Sequence, residues 1–227
     1  MVPGVAMISI RDLTKTYARG REIVTACSIA ALDVAAGEQV AVVGRSGASK
    51  STLLHLLAGI TVPDRGSIEV AGVAVHELGE GARDAFRAQH VGLVFQTLNL
   101  LQPFSALENV MLGAVFGRGV HRGSRERAEH LLERVGLADR RAHRPNQMSL
   151  GQAQRVAICR ALINDPEVLL ADEPLGSQDK ATGRGVLELL LELAAEGGRT
   201  FVMVTHDPES AERLQRTVDL HDLRRAG

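Results

Sequence analysis

The chain has 227 residues, a formal net charge of −1 and 45% hydrophobic residues, enough for one folded domain with a sizeable core. The near-neutral balance argues against a nucleic-acid partner, and no apolar run reaches the roughly 20 residues that a bilayer span needs. Cys27 and Cys159 lie in the apolar contexts TACSIA and VAICRAL and read as buried thiols rather than a disulfide or metal pair.

The opening MVPGVAMISIRDL has neither the basic end nor the long apolar stretch of a secretion leader, so a soluble, cytoplasmic chain is expected. Ile8–Ile10 and Ile23–Val34 read as strands of an antiparallel sheet, with Gly20 at the turn between them. Gln39–Val43 is an apolar strand that runs into a glycine-rich turn, and STLLHLLAGI behind it has the spacing of a buried helix. Val91–Phe95 is another strand. From about 105 to 164 the strand pattern gives way to helices at Ala106–Phe116, Ser124–Val135 and Gln152–Ile163. The second starts at a capping serine, with Glu126 and Arg127 in its first turn. GRGVHRGS, 117–124, reads as an exposed loop. Val168–Ala171 and Thr200–Thr205 resume the strands. Alternation of strand and helix around this block predicts an α/β fold with a mainly parallel sheet, an additional antiparallel β subdomain and an inserted α-helical subdomain.

Two stretches carry chemistry. The first is the turn Gly44, Arg45, Ser46, Gly47, Ala48, Ser49, Lys50, Ser51, Thr52. A phosphate-binding loop reads G-x-x-x-x-G-K-[ST]. Its backbone N–H groups and a following helix N-terminus hold phosphate oxygens, and the lysine reaches the outer ones. Here Ser49 stands where the second glycine belongs. The competing reading is a glycine-rich turn with a chance lysine. The second stretch is VLLADEP, 168–174, which sets Asp172 and Glu173 at a strand end. Ligands bind at that edge of open α/β sheets. Asp172 can then hold magnesium and Glu173 can polarise a water; solvated acids at a strand end are the alternative.

NQMSLGQAQRVAICRAL, 146–162, resembles the signature segment of the ATP-binding subunits of ABC (ATP-binding cassette) transporters, usually Leu-Ser-Gly-Gly-Gln. That segment ahead of an Asp-Glu-Pro strand end makes the resemblance specific, and it covers essentially the whole chain. It implies a P-loop NTPase core over about 1–96 and 165–227, with a helical subdomain over about 97–164. ATP and Mg2+ are the implied ligands. Lys50 and Ser51 keep their roles on phosphate and metal. Tyr17 matches the aromatic that stacks on adenine, and Gln96 the glutamine that senses metal and attacking water. Ser149, Gly151 and Gln152 match the signature that meets the partner's γ-phosphate, Asp179 a dimer contact, and His206 the histidine that contacts the γ-phosphate and orients Glu173. A homodimer closed on ATP is implied, together with a separately encoded membrane-spanning permease that holds the subunit at the inner face of the cell membrane. Its coupling helix would dock beside the loop after Gln96.

VFQTLNLLQPFSALENVMLG and LLADEPLGSQDKATG resemble the MacB and LolD-like branch, although division subunits of the FtsE type and amino-acid importers share much of this pattern. The alternative function is a nucleotide-dependent regulatory scaffold with little hydrolysis. The arginines at 118, 122, 125, 127, 140, 141 and 144 make the helical block locally basic, which solvated helix faces explain.

Ser49, Leu150, Leu175 and Gln178 depart from the family pattern at the ATP-facing surfaces, while Lys50, Ser51, Gln96, Asp172, Glu173 and His206 keep to it. The retained charged groups favour a working, slow ATPase over a decayed one. A side chain in place of the loop glycine costs on the order of 1 kcal/mol where the backbone needs positive φ. Ser49→Gly is therefore expected to raise ATP affinity or turnover; titration with Mg-ATP checks it, and an unchanged or lower value would show that the serine costs nothing.

Overall fold

The computed structural model describes residues 6–20, 22–44, 49–117, 119–175 and 180–223. Two long strands come first, β1 (Ala6–Arg19) and β2 (Glu22–Ala35), paired antiparallel with Ile10 opposite Leu32 and Tyr17 opposite Val24. β1 runs well past the Ile8–Ile10 that apolar spacing marks. Its far half, TKTYAR, is half-buried or exposed and is held by backbone pairing, so hydrophobic periodicity cannot find it. β4 (Arg65–Val70) pairs with the other side of β1, and β5 (Val73–Ala74) completes a sheet of order β2-β1-β4-β5.

The second sheet is parallel throughout. It holds β3 (Gln39–Val43), β6 (Val91–Val94), β7 (Val168–Asp172), β8 (Thr200–Val204) and β9 (Arg216–Asp219) in the order β6-β7-β8-β3-β9. Both faces of its middle strands are covered, and the alternation of side chains sorts them between two cores. Val40, Val42, Val168, Leu170, Val202 and Val204 point one way, into a core shared with α1 (Ser49–Leu57) and the antiparallel sheet. Leu53, Leu54, Leu56 and Leu57 of α1 are all buried because that helix lies between the two sheets.

Ala41, Leu169, Ala171, Phe201 and Met203 point the other way, into a core shared with α3 (Ala106–Val115), α4 (Ser124–Arg134), α5 (Leu150–Leu162) and α6 (Lys180–Glu196). α2 (Glu80–His90) leads directly into β6, and α7 (Pro208–Ala211) follows β8. Cys27 and Cys159 are both buried free thiols, and burial pushes the Cys159 thiol up to about 12. The helices close to the expected bounds, with one correction. Ser124 lies inside α4, whose cap is Gly123, and the Ser124 hydroxyl instead accepts from His121 N–H at 3.0 Å. The local basic character of the helical block is partly neutralised: Arg125 and Arg141 share Glu129, Arg127 pairs with Asp165, and Arg140 with Asp139.

Asp165 ties the end of the helical layer to the sheet. It occupies the turn between α5 and β7 at φ +55° and receives Arg199 at 2.5 Å and Arg127 at 3.1 Å. Arg127 also donates to Ile163 O, closing the last turn of α5. Burial alone would raise the Asp165 carboxyl, but the Arg199 hydrogen bond and the two guanidinium charges outweigh it and hold it below the usual carboxylate range. Asp165→Ala leaves the largely buried Arg199 without its charged partner. It is expected to cost ~1–2 kcal/mol, the exposed carboxylate being partly screened. Because the folded pKa is depressed, this stabilisation is present above the ordinary carboxylate range, about pH 4, and is lost as pH falls through the folded value. Urea unfolding of Asp165→Asn against wild type, at neutral pH and in acid, should show the gap closing in acid.

Candidate active site

The register of the parallel sheet brings three strand ends to one edge. Val42 of β3 and Asp172 of β7 both pair with Val204 of β8, so Gly44, Glu173 and Thr205 begin their loops side by side. Thr205 N–H donates back to Val42 O at 3.1 Å and Glu173 N–H to Val204 O at 3.0 Å, which continues the ladder past the strands.

Glu173 makes the sharpest departure there. Its backbone has φ +44°, which costs a side-chain-bearing residue on the order of 1–2 kcal/mol. The twist turns the carboxylate between an ammonium and an imidazole. Oε2 lies 2.6 Å from His206 Nδ1 and accepts from His206 N–H at 3.3 Å, while Oε1 lies 3.7 Å from Lys50 Nζ. Lys50 is buried, 6% exposed, in the first turn of α1, and also donates to Gly44 O at 3.0 Å. Lys50, Glu173 and His206, named from separate motifs, are thus one connected group. Asp207 caps α7 through Ser210 N–H at 3.2 Å, and its own N–H donates to Thr205 Oγ1 at 3.0 Å, which fixes the backbone on which the exposed His206 stands.

Asp172, at the end of β7, is 8% exposed, and its Oδ1 has no hydrogen-bond partner among the described residues. A buried carboxylate oxygen left unpaired calls for a cation or a donor. Thr52 is buried and Ser51 half-buried beside Lys50 on α1. Gln96 is exposed, just beyond β6, the neighbour of β7 at the same sheet edge. Tyr17 stands on the other sheet, 43% exposed, with the Lys15 ammonium 5.4 Å from its ring centre.

The signature residues lie elsewhere on the chain. Ser149 caps α5: its Oγ accepts from Gln152 N–H at 3.3 Å, and Gln152 Oε1 accepts from Ser149 N–H at 3.0 Å. Leu150 is 54% exposed beside them. A Cβ on Gly151 would come 3.0 Å from Thr182 Cγ2 of α6, so glycine is what lets the two helix starts approach. Leu175 is half-buried against the helical core. Arg45, Ser46, Gly47 and Ala48, with Gln178 and Asp179, lie outside the described residues, as does the side chain of Ser49.

Two clefts border this edge. One, about 850 Å3, runs from Glu173 and His206 between α6 and α7 and is lined by Leu175, Leu187, Arg184 and Arg213. The other, about 590 Å3, lies behind the Gln96 loop among Ile60, Val91, Leu101, Leu112, Phe116 and Arg160. Sequence reading passed over Thr205, Asn109 and Arg160, polar residues in or beside the loops of this edge. The threonine before His206 was visible only as part of VTHD, and the other two sit in helical patterns where nothing marks them as loop holders.

The sequence family described as ABC transporter matches residues 27–176. The lipoprotein-releasing system ATP-binding protein LolD of Pseudomonas fluorescens is 44% identical over 217 residues, covering 96% of this chain and 96% of that protein. The macrolide export ATP-binding/permease protein MacB of Bradyrhizobium diazoefficiens is 44% identical over 216 residues, which are 95% of this chain and 33% of MacB. Among solved structures, a dimeric ATP-binding cassette in a post-hydrolysis state, bound to ADP and Pi, superposes with a TM-score of 0.85 at 38% identity, covering 94% of each chain.

Proposed function

This chain belongs to the ABC transporter family as an ATP-binding subunit, and on that premise we propose that it hydrolyses ATP in pairs, as ATP-binding proteins of the LolD and MacB-like branch would, to drive a separate membrane-spanning permease. The observation that carries the catalytic reading is the Lys50–Glu173–His206 group, a carboxylate held between an ammonium and an imidazole at the carboxyl edge of the sheet. Residues 1–96 and 165–227 act in this reading as the nucleotide-binding core and 97–164 as the helical subdomain.

Each role follows from position. Glu173 accepts a proton from the attacking water, and His206 fixes the carboxylate's direction through Oε2. Lys50 faces the terminal phosphate and offsets charge that develops on its oxygens. Asp172 Oδ1, the Ser51 hydroxyl and the Gln96 carboxamide are the oxygen donors that would hold Mg2+, and the unpaired buried oxygen of Asp172 supports the fit. When bound there, the ion would supply charge neutralisation to the phosphates. Gln96 orients water from the neighbouring strand end, and Tyr17 offers its exposed ring to the base.

The signature residues share no described contact with Lys50, Asp172 or Glu173. A chain that keeps these groups apart is completed by a second copy whose Ser149 and Gly151 close over the first copy's phosphate, which the dimeric form of the structural neighbour supports. Asp179 belongs to that seam in this reading.

No helix among the described residues is long and apolar enough to cross a membrane. In this reading the span belongs to a partner, the apolar cleft behind the Gln96 loop offers it a docking groove, and the subunit sits on the inner face of the membrane. The likeness to LolD over nearly its whole length favours lipoprotein release through a separate permease over macrolide export. Phosphate release from Mg-ATP by the purified chain tests the reading. Glu173→Gln should lower turnover by roughly 10²–10⁴-fold, the usual contribution of a general base, and leave nucleotide binding in place. Equal release by both proteins would overturn hydrolysis at Glu173 and leave the regulatory-scaffold alternative.

A further inference from the structure

The loop after Gln96 hangs on two side chains. Its far end is held by Asn109 of α3, wholly buried, whose Nδ2 donates to Leu101, Phe104 and Ser105 carbonyls while Oδ1 accepts from Leu101 N–H at 2.8 Å. Its near end is held by Arg160, in the last turn of α5, which donates to Leu98 O and Asn99 O, both at 2.7 Å. Asn99 has φ +49°, so the chain turns sharply where the guanidinium grips it.

The backbone beneath Arg160 is fixed from both sides. A Cβ on Gly113 of α3 would come within 2.6 Å of Arg160 O, and one on Gly92 of β6 within 2.5 Å of Ala161 O. Asn164 Nδ2 donates to Gly113 O at 2.8 Å and locks the same contact. Contacts this close between backbones leave α5 no play against α3 and β6. Among the described residues Arg160 has no carboxylate partner. A guanidinium taken partly out of water to hold neutral carbonyls forgoes the charge pairing that would offset its desolvation, so what it secures is the position of the loop.

We propose that Arg160 is a positioning residue for hydrolysis, tying the loop that bears Gln96 to the helix whose first turn carries Ser149 and Gly151. α5 is 13 residues long, a rod of about 20 Å at 1.5 Å per residue. A push on its first turn, where the partner's phosphate would bind, reaches the Gln96 loop through the guanidinium. Binding at one seam is thereby coupled to alignment of water in the chain's own site. The inference rests on the reading of Gln96 given above.

The test is a double-mutant cycle on the full chain, reading kcat, KM for Mg-ATP and equilibrium ATP affinity. Arg160→Met removes both donors and keeps the stem; it should lower kcat by roughly tenfold to a hundredfold, the scale set by small misplacements of reacting groups, with ATP affinity held within about twofold. In a Gln96→Ala background the same change should cost less than about threefold, since it acts through a side chain already gone. Arg160→Lys, with one donor group, should fall between; if Arg160→Met does not fold, the cycle is run with Arg160→Lys, whose loss must likewise vanish beside Gln96→Ala. An unchanged kcat, a parallel loss of affinity, or an undiminished loss in the Gln96→Ala background overturns the proposal while leaving the Gln96 reading intact. Wild-type turnover in Gln96→Ala alone overturns both.

Discussion

The central parallel strands are covered on both faces, and that constraint arranges everything else in the molecule. Val40 and Val42 face one core and Ala41 the other, with the same alternation in β7 and β8. A strand packed this way has no face on which to carry a solvated polar group. Function is displaced to the points where the strands stop, and parallel pairing ensures that they stop together. Lys50, the Asp172–Glu173 pair and His206 are far apart in sequence yet lie at one sheet edge because Val42 and Asp172 share one partner, Val204. Their convergence is a consequence of register.

Glu173 shows what this edge demands of a residue. Its left-handed backbone is unfavourable for a glutamate, and the native fold holds it there with the N–H bond to Val204 and the contacts from His206 and Lys50. A relaxed extended residue would continue the line of β7 and send its carboxylate elsewhere. The strain is small beside the stability of two apolar cores, and it positions the group where the proposed hydrolysis would need a proton taken up. Asp172, one residue earlier and still in regular strand geometry, is left with an oxygen that nothing else in the described chain satisfies. Two adjacent carboxylates thus have different environments, one held between Lys50 and the His206 ring and one left with an unpaired oxygen.

Much of this was legible in the residues themselves. The strands 39–43 and 168–172 carry the short, continuous apolar runs VAVV and VLLA, so both strands and the site at their ends could be read directly. The helical insertion showed itself in a change of period. What escaped was held by backbone rather than by pattern. The outer half of β1 presents half-buried and exposed residues and is held by its ladder and by bonds from Lys15 and Thr16 to Asp64, and β5 is too short to have a period. Asp165 and Arg160 escaped for another reason. Each works by reaching a partner brought close by the fold, Arg199 in one case and the Leu98 and Asn99 carbonyls in the other, and no local spacing encodes such a meeting.

The departures from the family pattern acquire meaning from where they fall. Leu150 is exposed at the start of α5, and Leu175 follows Pro174 on the rim of the Glu173 cleft. Both stand on surfaces that a second copy would cover, whereas the polar residues facing the chain's own nucleotide keep the family's chemistry. An exposed leucine on such a seam adds apolar area to be buried on closure, at about 25 cal/mol per Å2, while a bulky side chain beside Ser149 narrows the approach of a phosphate. The two effects oppose each other in the closed pair: one favours association, the other weakens the grip on the ligand that triggers it. In the proposed pair, changes at Leu150 and Leu175 would alter how readily two copies close and reopen, whereas Ser49 departs within the chain's own phosphate loop.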